Sequence, residues 1–434
     1  MNSMRMGSVI LSFFIAAVCQ AQSMFRGDAN HSGVYSGPAP GQFHHIKWKF
    51  ATGDRIVSSP VWYDKVVYFG GDDGNVYAVD AETGHQIWKR TTGGPVPATP
   101  AVVDGILYVG SYDGKFYALD ARTGVLKWKF ATEGERRFEA KGLDGMQPKN
   151  QTIADPFDVF LSSPVVGQGA VYFGSGDGNL YALDAKSGEL RWKFKTGDVV
   201  HASPAFANGV VFVGSWDSYF YAVEAATGKG KWRFHAGEDP LMHNQVGFQS
   251  SPVVVDGVVF TGCRDSNVYA LDAATGKEKW RCNNELSWVN SAPAVAQGKV
   301  FFDTSDSSLF RAVDAATGKE VIRQQAKAYM FSSPAVAGDV VLVGVLNGTL
   351  EARDVKTGEL LWDYQVEKSK ENKGWVLTNE RKFNGPLIFY SFWREAPIVA
   401  TDRQFGIGSI FSSPLIANGV VYFGSTDGYL YALE

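Results

Sequence analysis

The sequence predicts an all-β chain: an eight-bladed β-propeller of four-stranded antiparallel blades, closed by its own N-terminal strand. Three observations predict it. A unit of forty-odd residues recurs along the chain, each copy holds four short runs rich in Val, Tyr, Phe and Trp, and the strand missing from the last copy stands before the first.

The unit is clearest at Ser162-Ser163-Pro164, Ala170 to Gly174, Tyr181 to Asp184 and Trp192-Lys193-Phe194. Its proline returns at Pro60, Pro100, Pro164, Pro204, Pro252, Pro293, Pro334 and Pro414, which makes eight copies. Asp-Gly and Thr-Gly dipeptides separate the runs, the pattern of antiparallel strands joined by tight hairpins. Four strands per repeat of this length mark a propeller blade rather than a solenoid turn. Copy eight stops at Tyr431-Ala432-Leu433-Glu434 without a Trp-bearing fourth strand, whereas Ile46-Lys47-Trp48-Lys49-Phe50 stands unattached before the first marker. Pairing these two runs closes the ring and removes sheet edges open to aggregation.

Inside the repeat the spacing Ala-x-Asp-x-x-Thr-Gly-x-x-x-Trp recurs, for example as Ala78, Asp80, Thr83, Gly84 and Trp88. The glycine permits positive φ, Asp and Thr cap turn amides, and the indole can wedge between neighbouring blades. Ile322 stands where Trp is expected, so its junction should be weaker or packed by something else. The Asp-Gly turns, such as Asp113-Gly114, lack the clustered oxygen ligands of a calcium loop, and no metal site is expected.

With 45% hydrophobic and 14% aromatic residues the chain can bury a large core, and its formal charge of −4 argues against a nucleic-acid partner. Residues 1 to 21 read as a signal peptide: Arg5 is the basic part, Val9 to Val18 the apolar run, and Cys19-Gln20-Ala21 the cleavage site. The mature chain, 22 to 434, is then one propeller domain, periplasmic or secreted and monomeric. No later stretch approaches the roughly 20 apolar residues of a membrane span. Lipid anchoring at Cys19 is the alternative, against which the bulky Val18 before it speaks. Cys263 and Cys282 fall on the second and fourth strands of one repeat, about 9 to 10 Å apart, so a disulfide is not favoured.

Across the mature chain this repeat resembles that of the pyrroloquinoline-quinone-like propeller superfamily. The resemblance implies one of two functions. Quinoprotein alcohol or sugar dehydrogenases hold the quinone and a calcium or lanthanide ion over the propeller axis. Cofactor-free relatives, such as the lipoprotein propeller of the outer-membrane β-barrel assembly machinery, bind proteins. Two features that many of the dehydrogenases carry are missing here, an adjacent Cys-Cys pair and a Cys-x-x-Cys-His haem motif. The expected function is therefore a non-catalytic scaffold for a protein partner in envelope or outer-membrane protein assembly, with no cofactor. The alternative is a quinone- and calcium-dependent dehydrogenase.

Marker spacing widens at three places, which puts insertions at residues 131 to 160, 235 to 249 and 363 to 410. All three join the fourth strand of one blade to the first of the next, so they should gather around one mouth of the channel. Their interface candidates are Arg136, Arg137, Phe138, His243, Trp375, Arg381, Trp393 and Arg394, since Arg and aromatic residues suit an interface. Three residues before successive marker prolines stand His201, Gln249 and Asn290, which could converge on one ligand beside Arg264 and Asp303. Asp303 replaces a glycine of the repeat and is the candidate base or metal ligand if the chain is an enzyme.

Overall fold

The computed structural model describes residues 22–141, 152–237, 247–388 and 396–434. The signal-peptide and Cys19 expectations, and the candidates His243, Trp393 and Arg394, lie outside the described residues.

Eight four-stranded antiparallel sheets form the ring, blades 1 to 7 at residues 61–91, 101–131, 165–195, 205–235, 253–283, 294–325 and 335–365. Blade 3 is typical: Val165–Gly167 innermost, then Ala170–Gly174, Asn179–Asp184 and Leu190–Lys195 at the rim. Blade 8 takes three strands from the C-terminus, and its outer strand is Ile46–Ala51, which pairs antiparallel with Tyr429–Leu433. The closure predicted from the sequence is thus observed. Among the described residues no helix is long and apolar enough to cross a membrane.

The repeated residues join blade to blade. Each rim indole donates from Nε1 to an alanine carbonyl of the next blade, as Trp88 does to Ala121, at 2.8 to 3.2 Å in six junctions. Its ring lies over the glycine of the neighbour's Thr-Gly turn, where a Cβ on Gly84 would sit 2.7 Å from Trp48 Cγ. At the eighth copy, which has no such turn, Trp362 donates instead to Pro40 O at 2.9 Å, in the segment leading to the closing strand. The Asp of each Asp-Gly turn is structural: Asp113 accepts from Tyr117 Oη in its own blade and from the Gly93 amide of the connection before it.

The Ser-Ser-Pro marker builds a belt of hydroxyls around the channel. The amides of Ser59, Thr99, Ser163 and Ser203 donate to the hydroxyls of Thr99, Ser163, Ser203 and Ser251 in turn. Ala292, Ser333 and Ser413 continue the belt to Ser333, Ser413 and back to Ser59. Ala292 has no hydroxyl, so the link from blade 5 to blade 6 is absent. Cys263 and Cys282 are both free thiols.

The seam at Ile322 is packed by something else. Ile322 is buried, with its Cγ2 2.4 Å from where a Cβ on Gly358 would lie. Gln324 Nε2 donates to Thr357 O at 3.1 Å across the junction. The Arg353 guanidinium lies 5.4 Å from the Phe310 ring centre and is paired with Glu351 at 2.6 Å. An aliphatic side chain with an Arg–Glu pair replaces the indole.

Candidate functional site at the channel mouth

Two segments outside the repeat close the channel. The first is N-terminal. Carbonyls of Gln22, Ser23, Ala29, Asn30, Ser32 and Gly33 accept from the central amides of six inner strands, at Trp62, Val102, Phe206, Val254, Val295 and Val336. Inner strands only three residues long leave edge amides facing the channel, and this segment satisfies them. It also buries Arg26 and His31, which donate to Pro293 O and Pro252 O. Burial, then the Arg26 charge, lowers the His31 pKa to about 3, so its ring is neutral and Nδ1 carries the proton.

The second is the end of the first insertion, on the opposite side of the hydroxyl belt. Asp155 and Asp158 stand in a tight turn, the Asp158 amide donating to Asp155 O at 3.2 Å, and both side chains are wholly buried. His201 lies between two carboxylates: Nδ1 is 2.7 Å from Asp158 and Nε2 2.9 Å from Glu135. Burial disfavours the imidazolium, but Asp158 and then Glu135 outweigh it and raise the pKa to about 10. The ring is therefore charged and donates from both nitrogens.

Arg264 is held in the same way. Its Nη1 donates to Asp155 at 2.5 Å and its Nη2 to Gln249 Oε1 at 2.8 Å, while Gln249 Nε2 donates to Phe157 O at 2.7 Å. The faces of the guanidinium are covered by Trp216 and Trp288, with ring centres 4.2 and 4.4 Å from Cζ. Phe138, an interface candidate from sequence, is buried and stacked on Trp216 at 4.4 Å. It anchors the insertion.

The structure does bring His201, Gln249, Asn290 and Arg264 to one mouth, but Asp155, Asp158, Glu135 and Phe157 of the insertion occupy three of them. Asn290 is left with neither side-chain polar atom hydrogen-bonded. It lines a central cavity of about 30 Å³ with His201, Gln249, Phe25 and Phe160. That is room for about two waters.

Asp303 lies deeper, its amide near Ser291 Oγ and neither carboxylate oxygen bonded. Burial raises its pKa to about 7, against smaller opposing effects from Ser291 and Arg26. At the equivalent position in blade 1 the glycine is obligatory, since a Cβ on Gly70 would lie 2.1 Å from Val96 O. Asp303 takes that position in blade 6, the same blade that carries Ile322.

Of the remaining candidates, Arg136 pairs with Asp198 at 2.7 Å and Arg381 with Asp363 at 2.5 Å. Arg137 is exposed, and Trp375 is 57% exposed, the most open large aromatic among the described residues. Sequence reasoning missed Glu135, Asp155 and Asp158. Their only signal was acid placement in an insertion next to a blade that offers His201 and another that offers Arg264.

Structural neighbours show the same fold. The crystal structure of BamB from Moraxella catarrhalis superposes with a TM-score of 0.66 at 15% identity, covering 90% of this chain and 99% of that one. Quinohemoprotein alcohol dehydrogenase from Comamonas testosteroni gives 0.70 at 15% identity, over 96% and 81% of the two chains. In sequence, methanol dehydrogenase [cytochrome c] subunit 1 of Methylorubrum extorquens is 33% identical over 105 residues, 22% of this chain and 16% of that subunit. The family model described as outer membrane protein assembly factor BamB matches residues 44–156, 146–283 and 242–434, and the chain belongs to that family.

Proposed function

We propose that the protein is an exported, non-catalytic propeller of the cell envelope that presents its insertion-bearing face to a protein partner. One observation carries this reading: the polar side chains at the channel mouth are neutralised by carboxylates of the chain's own insertion, with His201 between Asp158 and Glu135 and Arg264 on Asp155. A fused-ring quinone needs a pocket of several hundred Å³, an order of magnitude above the 30 Å³ on the axis. Among the described residues no group of three or more His, Cys, Asp or Glu is placed to hold a metal. These features favour a propeller that works without quinone or calcium on its axis. What the face offers instead is exposed Trp375 with Arg136 and Arg137, residue types enriched at protein interfaces.

The test is photo-crosslinking from positions 375 and 136 in intact cells. Reproducible capture of one envelope protein from both positions, absent from the opposite face at position 104, supports the reading. Equal capture from all three positions overturns it. Removing residues 363 to 410 entirely is a poor alternative, because Val366, Phe405, Ile407 and Ile410 are buried core.

A quinone-dependent dehydrogenase is the second reading. It draws on the buried, unbonded Asp303 carboxylate and on the 105-residue likeness to the methanol dehydrogenase subunit.

A further inference from the structure

A second cavity, of about 370 Å³, opens between the end of the first insertion and the helix Ala396–Phe405 of the third. Its floor is apolar, made of Val57, Pro97, Phe405 and Phe411. The charges on its walls are sorted along its length. At the blade 8 side stand Asp54 and Asp402, both exposed and without a cation within 4.0 Å among the described residues. In the middle, Arg55 Nε is 3.3 Å from Asp72, a largely buried carboxyl. At the blade 2 side Arg137 is exposed, with no carboxylate within 4.0 Å among the described residues.

We infer that this cleft binds a short apolar peptide with both termini free, its carboxylate at Arg137 and its ammonium at Asp54 and Asp402. Arg137 interacts with Tyr112 but is ion-paired to no carboxylate among the described residues, and a guanidinium so placed matches an incoming carboxylate through two parallel hydrogen bonds. Two exposed carboxylates at the far end match an ammonium, and the proline and phenylalanine floor takes apolar side chains. The volume suits two or three residues, within the range of about 300 to 1,000 Å³ for ligand pockets. Asp72 is already paired, with Arg55 Nε 3.3 Å from its carboxylate, and so does not compete for the ammonium. The site stands independently of whether the same face takes a protein partner.

The experiment is calorimetric titration of the whole mature protein with the dipeptide Leu-Phe, with N-acetyl-Leu-Phe and with Leu-Phe amide. Leu-Phe is expected to bind, and each blocked peptide to bind about tenfold more weakly, one ion pair's worth. Arg137→Ala should weaken Leu-Phe by about tenfold while leaving the amide unchanged; Asp402→Asn should do the same relative to the acetylated peptide. Both side chains are exposed, so both variants should keep the parent's melting temperature. Equal affinity for all three peptides, or no heat with Leu-Phe up to about 10 mM, overturns the inference.

Discussion

The imidazole of His201 sits 2.7 Å from Asp158, with both side chains fully shielded from solvent. One comes from the repeat and the other from an insertion, so this pair locks an irregular segment onto a regular scaffold. A buried pair of this kind adds little over a well-packed apolar pair, but breaking it strands a charge.

His201→Gln should therefore cost about 3 to 5 kcal/mol at pH 7, measured by urea unfolding. The sign with pH follows from the raised value. A free imidazole titrates near 6.5 and the folded one at about 10, so its contribution is complete below 6.5 and is lost as pH climbs toward 10. Imidazole signals that titrate normally, together with a variant as stable as the parent, would refute this.

Arg264 holds the same segment through Asp155. Arg264→Met keeps an apolar stem between the two indoles but removes every donor. Hydrogen exchange should then show lost protection at the amides of Phe138 and Asp155, which are bonded to Asp158 and Phe138 in the parent. Unchanged protection there would mean that the segment is held by apolar packing alone.

Ile322→Trp distinguishes a weak seam from a repacked one. The indole would restore the repeat, yet Ile322 already meets Gly358 closely and Arg353 covers Phe310. Overpacking a filled site costs about 1 to 3 kcal/mol. A lower melting temperature is expected, and a higher one would show that the seam is underfilled.

Asp303 gives a pH signature of the same sense as His201, in a lower window. Its folded pKa of about 7 lies above the unfolded value, so the parent loses stability as pH rises from about 4 to about 7 and holds level above that. Asp303→Asn does not titrate there. The difference in unfolding free energy between variant and parent should shift in the variant's favour over that window, and a flat difference would place the carboxyl in a solvated or paired state.

The repeat made the ring legible from sequence because each repeated residue acts locally or on the next blade, the Trp over its neighbour's glycine, the Asp in its turn and the serine in the hydroxyl belt. The closing strand at Ile46–Ala51 was legible for the same reason, as a repeat fragment out of place. The two plugs were not. Gln22 to Gly33 pairs through backbone carbonyls, which leave no trace in side-chain pattern. Asp155 and Asp158 act on residues 109 and 43 positions away in sequence, with no period to reveal the distance. The departures Asp303 and Ile322 fall in one copy of the repeat, between Pro293 and Pro334, whereas the role of Ala292 beside them emerges only with the hydroxyl belt.

In the proposed reading the chain's own insertion occupies His201, Gln249 and Arg264 on the axis, and no quinone is held there. Calorimetric titration of the mature protein with pyrroloquinoline quinone and calcium, with dye-linked alcohol oxidation followed in parallel, is the decisive measurement. No binding at tens of micromolar and no turnover are expected; tight binding with turnover would contradict the reading.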